Sequence, residues 1–155
     1  GEVMWYRVFG LSEEEPRAAA LAARLVEAGV AIEPHFKGDD LGWTAGELHL
    51  PGGRTPIFLQ RYLTTEDDLR DDLNAHAAEL ETCDYSPNHG SLMQHVIQTR
   101  QLITIRKPLD AFDEVMLEKV LDETCRHLAA ATQGVYQIDA RGWFSALGEL
   151  LLEEY

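Results

Sequence analysis

The sequence contains few cysteines and no long apolar run. Its only cysteines are Cys83 and Cys125, which form neither a CxxC pair nor the dense framework of a small disulfide-dependent secreted protein. The longest apolar runs, such as 102–105 and 147–152, fall far short of the ~20 residues that a membrane-spanning helix needs. No basic segment followed by an apolar stretch opens the chain, so we expect no secretory signal. These features predict a soluble cytoplasmic protein with two free thiols.

Motifs that usually indicate catalysis or cofactor binding are missing as well. The sequence has no GxGxxG, GxxxxGK[ST], HExxH or GxSxG pattern and no paired CxxC motif. Its histidines are scattered, and His89 and His95 stand six residues apart on one expected helix, too far around the helix to share a metal ion. We therefore expect neither a metal nor another cofactor. An enzyme of unfamiliar type is not excluded by these absences.

Basic residues are scarce. Lysine and arginine total 13 against 27 aspartate and glutamate residues, which gives a formal net charge of −14. A charge of this size repels phosphate backbones and anionic lipid surfaces, so we expect no direct nucleic-acid binding and no membrane docking. Two interpretations of the acidic excess stay open. It either promotes solubility alone or forms an acidic face for a basic protein partner.

The remaining composition is that of one ordinary globular domain. The chain has 155 residues, of which 45% are hydrophobic and 26% charged, close to the averages of globular proteins. No stretch has the length or composition of a linker, and no period recurs along the chain. We therefore expect a single domain over residues 1–155.

Hydrophobic periodicity predicts seven strands and four helices in the order β-α-β-β-β-α-α-β-α-β-β. Strands mostly follow strands and helices occur in blocks, which is typical of an α+β fold. The sequence thus predicts a mainly antiparallel sheet with helices packed chiefly on one face. The expected strands are 4–9, 31–36, 43–50, 56–63, 101–106, 135–139 and 143–153, and the expected helices begin at 12 or 16, at 64 or 65, at 86, and at 110 or 113.

Two patterns predict which side chains are buried. On the longest helix one apolar stripe repeats at helical spacing, and on the strand 56–63 alternate residues face the core. The helical stripe consists of Leu117, Leu121, Cys125, Leu128 and Thr132. In the strand, Ile57, Leu59 and Leu63 are expected to face the core, with Phe58, Gln60 and Tyr62 on the other side.

The most concentrated polar loop follows the second predicted strand. His35, Asp39 and Asp40 could act as acid and base, and Arg61 on a neighbouring strand could join them, which makes these four the candidate catalytic residues. The alternative is ordinary turn chemistry, because aspartate next to glycine is a common turn former. Trp43 follows this loop and, together with Tyr62, could form the wall of a binding pocket.

The second predicted helix is strongly acidic. Three of its carboxylates, Asp71, Asp72 and Glu79, are the candidate binding residues. They favour an interaction or regulatory domain that binds a basic protein, although a merely solvated acidic helix is the alternative. The competing function is an enzyme with a polar site around residues 35–43 and Arg61. Self-association through the sheet face that bears Phe58 and Tyr62 (a homo-oligomer) is compatible with either function.

Overall fold

The structure, a computed structural model, describes residues 3–155 and contains eight strands and four helices in those residues. None of these helices is long and apolar enough to cross a membrane. In chain order the elements are β1 (Trp5–Gly10), α1 (Ala18–Glu27), β2 (Glu33–Asp39), β3 (Gly42–His49), β4 (Ile57–Leu63), α2 (Arg70–Glu81), α3 (His89–Ile97), β5 (Gln101–Arg106), α4 (Glu114–Ala131), β6 (Gly134–Ile138), β7 (Gly142–Phe144) and β8 (Leu150–Glu153).

All eight strands form one antiparallel sheet. Their order is β2-β3-β4-β5-β1-β6-β7-β8, so β1 lies near the middle, between β5 and β6. The hairpins β2-β3-β4 and β6-β7-β8 build the two sides of the sheet from neighbouring segments of the chain. The predicted α+β fold with a mainly antiparallel sheet is confirmed.

Helices α1 and α4 cover one face of the sheet and enclose the larger part of the core. The alternating residues Tyr6 and Val8 of β1 point toward these helices and are buried. Leu25 of α1 has no exposed surface. On α4 the predicted stripe is confirmed, because Leu117, Leu121, Cys125, Leu128 and Thr132 are all fully buried.

Helices α2 and α3 lie against the opposite face, over the side of the sheet that contains β1 and β6 to β8. Phe9 and Trp143 project from the sheet into a second apolar cluster, where Leu73 of α2 and Val96 of α3 meet them. Leu102 of β5 and Tyr62 of β4 still contact this cluster, and the rest of this face, formed by β2 to β5, has no helix over it within residues 3–155. Helices therefore cover one face of the sheet more fully than the other.

The two edges of the sheet differ. At the β8 edge, the hydroxyl of Tyr85 donates a hydrogen bond to the carbonyl of Glu153 (2.5 Å), and the side-chain amide of Asn88 donates to the carbonyl of Leu151 (2.7 Å). At the β2 edge, almost every residue is exposed, including Pro34. One edge is thus covered by the loop before α3, and the other is open.

Several predicted boundaries were wrong. Helices α1 and α3 begin at Ala18 and His89, later than the expected 12 or 16 and 86. Helix α2 begins at Arg70, not at residue 64 or 65, because the carboxylate of Asp67 accepts a hydrogen bond from the backbone N–H of Leu63 (2.9 Å) and closes a turn. Strand β2 begins two residues later and ends three residues later than predicted. The expected strand 143–153, for which the sequence also predicts a bend near Gly148, is two strands, because Gly148 adopts a φ of 83° in the connection between them.

Candidate functional site

The uncovered side of the sheet forms a concave surface, which we call the open half-face. It borders a cavity of about 640 Å3. Side chains from five strands, β1 to β5, reach it because alternate residues of each strand point to the same face. The side chains that line it include Trp5, His35, Lys37, Ala45, Glu47, Phe58, Gln60, Thr104 and Arg106.

The four candidate catalytic residues do not converge on one point. His35 lies on the open half-face, whereas Arg61 lies on the opposite face of the sheet with Ile57 and Leu59. The carboxylate of Asp39 accepts a hydrogen bond from the N–H of Leu41 (2.9 Å), which is the turn chemistry expected of this residue. Asp40 is exposed in the same turn. Only Asp39 and Arg61 border a common cavity, of about 400 Å3.

Arg61 is held by protein acceptors on all sides. Arg61 is only 5% exposed. Its Nε donates to the side-chain oxygen of Gln101 (2.8 Å), and its Nη1 donates to the carbonyls of Leu41 (3.1 Å) and Trp43 (3.0 Å). Its Nη2 donates to the carbonyl of Glu13 (3.2 Å). Burial lowers the pKa of Arg61 from its usual value, and nearby carboxylates oppose that shift. The guanidinium thus joins three separate segments of the chain to the sheet.

The two aromatic candidates have different surroundings. Trp43 is buried, and its indole Nε1 donates to the carbonyl of Pro16 (2.7 Å) just before α1. Its ring meets Phe36 edge to face at 5.0 Å, so it packs in the core. Tyr62 is half-buried on the other face, where its hydroxyl donates to Gln60 (2.5 Å) and its residue borders the 400 Å3 cavity. Tyr62 is therefore accessible at the rim of the open half-face.

The acidic side of α2 is turned away from the protein. Asp71, Asp72 and Glu79 are all exposed, while Leu73 and Leu80 anchor the helix in the second apolar cluster. Within residues 3–155, none of these three carboxylates forms an ion pair. Asp71 and Asp72 lie in the first turn of α2, where negative charge favours the helix, and all three carboxylates remain available to a partner.

A small cavity that sequence reasoning missed lies at the C-terminal end of α2. Its volume is about 290 Å3, and its walls include Glu79 and Glu154 with the rings of Tyr85, Trp143 and Tyr155. The rings of Tyr85 and Tyr155 meet edge to face, with centroids 5.3 Å apart. We call this space the acidic aromatic cavity. Its residues come from three distant segments, so only the pairing of β8 with β7 brings them together.

The negative charge of Glu154 is unfavourable in this cavity. Burial raises the pKa of Glu154 above its usual value, and the negative charges of Asp139 and Glu79 raise it further. The side-chain amide of Gln137 donates a hydrogen bond to this carboxylate (3.0 Å) and partly compensates. Within residues 3–155, no lysine or arginine forms an ion pair with Glu154. A cation placed in the cavity would relieve this excess of negative charge.

Three histidines are embedded in the fold without forming a site. The ring of His76 meets Phe9 edge to face at 5.3 Å and Trp143 at 6.4 Å. The Nε2–H of His95 donates to the carbonyl of Phe9 (2.7 Å). Burial lowers the pKa of His76, His95 and His127 below the usual value of 6.5. Each imidazole is thus stabilised in its neutral form by the fold.

These histidines predict a pH dependence of stability. Because their pKa values are lower in the folded than in the unfolded chain, the unfolded chain binds more protons at and below pH 6.5. Their contribution is fully present above pH 6.5, and we expect the free energy of unfolding to fall as the pH decreases below it. Urea denaturation at a series of pH values measures this. His76→Phe should reduce the dependence, and a profile equal to that of the wild type would contradict the assignment.

Neither a group of metal ligands in residues 3–155 nor a similar protein indicates the function. Within residues 3–155, no group of three or more His, Cys, Asp or Glu side chains is placed to hold a metal ion. Comparisons with protein-family models, with curated proteins and with solved structures yield no match.

Proposed function

We propose that this chain is a non-enzymatic interaction domain that binds a basic protein through the outward carboxylates of α2 and the acidic aromatic cavity beside them. The observation that carries the proposal is the pairing of Glu79 with Glu154 in one aromatic-walled cavity without a neutralising cation. The free thiols of Cys83 and Cys125 favour the reducing cytoplasm as its location.

The acidic aromatic cavity suits a lysine or arginine side chain. The carboxylates of Glu79 and Glu154 would form charge-assisted hydrogen bonds with the cation. The faces of Tyr85 and Tyr155 attract cations, and an attraction of this type is worth about 0.5–2 kcal/mol depending on desolvation. Arginines inserted into well-packed pockets are typical binding hot spots. We infer that one basic side chain of the partner is anchored here.

The rest of the acidic helix would guide the partner to this anchor. Asp71 and Asp72 lie on the same helix as Glu79, and their charges are exposed and unpaired within residues 3–155. Electrostatic complementarity of this kind mainly accelerates association and excludes wrong partners. Salt screens it over a Debye length of about 8 Å at physiological ionic strength. Association with the partner should therefore slow as salt is added.

The test is a charge reversal on α2. A partner is first captured from the source cell with the wild-type protein and identified, and its association rate is then measured over a range of salt concentrations. Replacing Asp71, Asp72 and Glu79 together by Lys should abolish binding. Because Asp71 and Asp72 lie in the first turn of α2, where negative charge stabilises the helix, this variant is also expected to lose some stability, and its circular dichroism spectrum verifies that it is folded. This variant leaves Asp67, which closes the turn before α2, in place.

A matched control separates local from overall charge. Replacing Glu14, Glu27 and Asp40 by Lys changes the net charge by the same amount at exposed positions without ion pairs in residues 3–155. We expect this variant to keep most of the binding. A partner that binds the α2 variant as fast as the wild type, or that is lost equally from both variants, would eliminate the proposal.

The competing function is an enzyme with a polar site around residues 35–43 and Arg61. In its favour, Asp39 and Arg61 border the same 400 Å3 cavity. Against it, all three nitrogens of Arg61 already donate to protein acceptors, and His35 lies on the other face of the sheet. The acidic residues that line this cavity are Asp39, Glu66 and Asp67, of which Asp39 and Asp67 already accept backbone hydrogen bonds, and no histidine lines it. The interaction domain is the better supported of the two functions.

A further inference from the structure

We propose that the open half-face binds a small aromatic anion, that is, a flat ring system that carries one carboxylate or phosphate group. This site is distinct from the acidic surface of α2, because its unpaired charges are positive. The inference does not depend on the proposed protein partner.

The floor of the site contains a row of side chains that runs straight across four strands. Trp5 of β1 pairs in register with Arg106 of β5, Arg106 with Phe58 of β4, and Phe58 with Glu47 of β3. Directly opposite residues of antiparallel strands have Cβ atoms about 4.5–5.5 Å apart. Arg106 is thus flanked by two aromatic side chains, and Phe58 is 37% exposed. A flat ring can stack on this row.

The adjacent row makes the surface concave. It runs through Lys37, Ala45, Gln60 and Thr104, which pair in register across β2 to β5. Ala45 and Thr104 are short, so the surface is lower here than at the aromatic row. Gln60 and Thr104 add hydrogen-bonding groups. A ligand pocket typically combines apolar contact area with a few such polar groups.

The charge of the site contrasts with that of the rest of the protein. Lys37 and Arg106 form no ion pair within residues 3–155, although the chain carries a net charge of −14. The carboxylate of Glu47 lies at the β3 end of the same row and contacts Nε2 of His49 at 2.8 Å, so the anionic group is expected at the Arg106 end of the row. Two cations without partners on one concave surface attract an anionic group. Charge complementarity therefore defines the occupant as an anion.

Size and net charge favour a single small molecule over a nucleic-acid strand. The cavity of about 640 Å3 lies within the roughly 300–1,000 Å3 typical of small-molecule sites. A strand would bring many phosphates close to an acidic protein, and it gains affinity only where several cations neutralise those phosphates. One anionic group needs a single cation: Arg106 stands beside the aromatic side chains, whereas Lys37 lies three strands away on β2 and adds only longer-range attraction. We therefore expect a free aromatic anion as the occupant, and binding of a nucleic-acid single strand is tested as the alternative.

The test is a titration followed by two-dimensional NMR of the 15N-labelled protein. AMP and naphthoate serve as probes, and adenosine is the uncharged counterpart of AMP. We expect both anions to shift the amide signals of Phe58, Gln60 and Thr104 and the indole signal of Trp5. Adenosine should bind about tenfold more weakly than AMP or worse, because it cannot form hydrogen bonds assisted by charge.

Substitutions in the open half-face show where the anionic group binds. Arg106→Gln should weaken AMP binding about tenfold, because it removes the charged donor beside the aromatic side chains, and Lys37→Gln should have a smaller effect, because Lys37 lies three strands away. Arg54→Gln removes an exposed cation outside the open half-face and should leave the affinity unchanged. Phe58→Thr should weaken naphthoate binding and keep the strand, since threonine suits exposed strand positions. The amide spectrum of each free variant verifies that the fold is intact.

Four results would overturn the proposal. The first is the absence of any shift with both probes at millimolar concentration, and the second is a set of shifts confined to other surfaces. The third is equal affinity for adenosine and AMP. The fourth is a different occupant: either a single-stranded oligonucleotide that binds more tightly than AMP at physiological salt, or a dimer whose interface protects Phe58 in sedimentation and NMR experiments.

Discussion

Replacing Leu121 by Ala is expected to lower the free energy of unfolding by about 2–5 kcal/mol. Leu121 lies in the middle of α4 and has no exposed surface. It belongs to the apolar cluster between α4, α1 and the sheet, where a shortened side chain leaves a cavity that the rigid sheet cannot fill. Urea denaturation of the variant and the wild type at neutral pH measures the difference.

The control for this prediction is Asp71→Ala. Asp71 is exposed in the first turn of α2, where a carboxylate contributes about 0.3–1 kcal/mol to the helix, which is well below the effect expected for Leu121. Equally small effects of the two variants would show that α4 does not pack as described.

Replacing Arg61 by Met is expected to cost roughly 3 kcal/mol or more of stability. Methionine retains much of the aliphatic volume but none of the donors. The carbonyls of Leu41, Trp43 and Glu13 and the side-chain oxygen of Gln101 would then lose their hydrogen bonds in a partly or fully buried environment. An unsatisfied buried polar group costs about 1–3 kcal/mol.

Two further variants separate a structural role of Arg61 from a mere effect of charge. Arg61→Lys should recover only part of the stability, because one ammonium group cannot reach acceptors on three segments. Arg54→Met, at an exposed arginine, should have little effect. If Arg61→Met were as stable as the wild type, Arg61 would not hold these segments together, and its role at the 400 Å3 cavity would need to be reconsidered.

The burial of Arg61 could have been predicted from the alternation of residues along β4. Alternation along β4 assigned Ile57, Leu59 and Leu63 to the core, and Arg61 has the same parity. Applied without exception, the pattern places this arginine on the buried face. The charge of the side chain suggested a site instead. A charged residue in register with core residues is more simply explained by buried hydrogen bonds.

Local patterns predicted the elements that depend on local causes. Strand β5 has the predicted bounds, residues 101–106, because its β-branched residues are followed closely by Pro108. The start of α2 was wrong for an equally local reason. Residues 64–68 have the composition of a helix N-terminus, yet Asp67 bonds the backbone of Leu63 and forms a separate turn.

The acidic aromatic cavity and the open half-face could not be predicted from these patterns. Both depend on which strands are neighbours, and strand order is a long-range property that periodicity does not contain. The first requires β8 to pair with β7 beside α2, and the second requires β5 to insert between β4 and β1. The functional candidates that were missed, Glu154, Tyr155 and Arg106, all depend on this order.

The open edge at β2 bears on how the protein avoids polymerising through its sheet. An exposed edge strand is a template on which another chain can add a strand, which is a common route to fibrils. Here Pro34 offers no N–H to an incoming strand, and Glu33 and Lys37 place charges along the same edge. The opposite edge is shielded by the hydrogen bonds from Tyr85 and Asn88. An eight-stranded sheet can thus remain a discrete unit at high concentration.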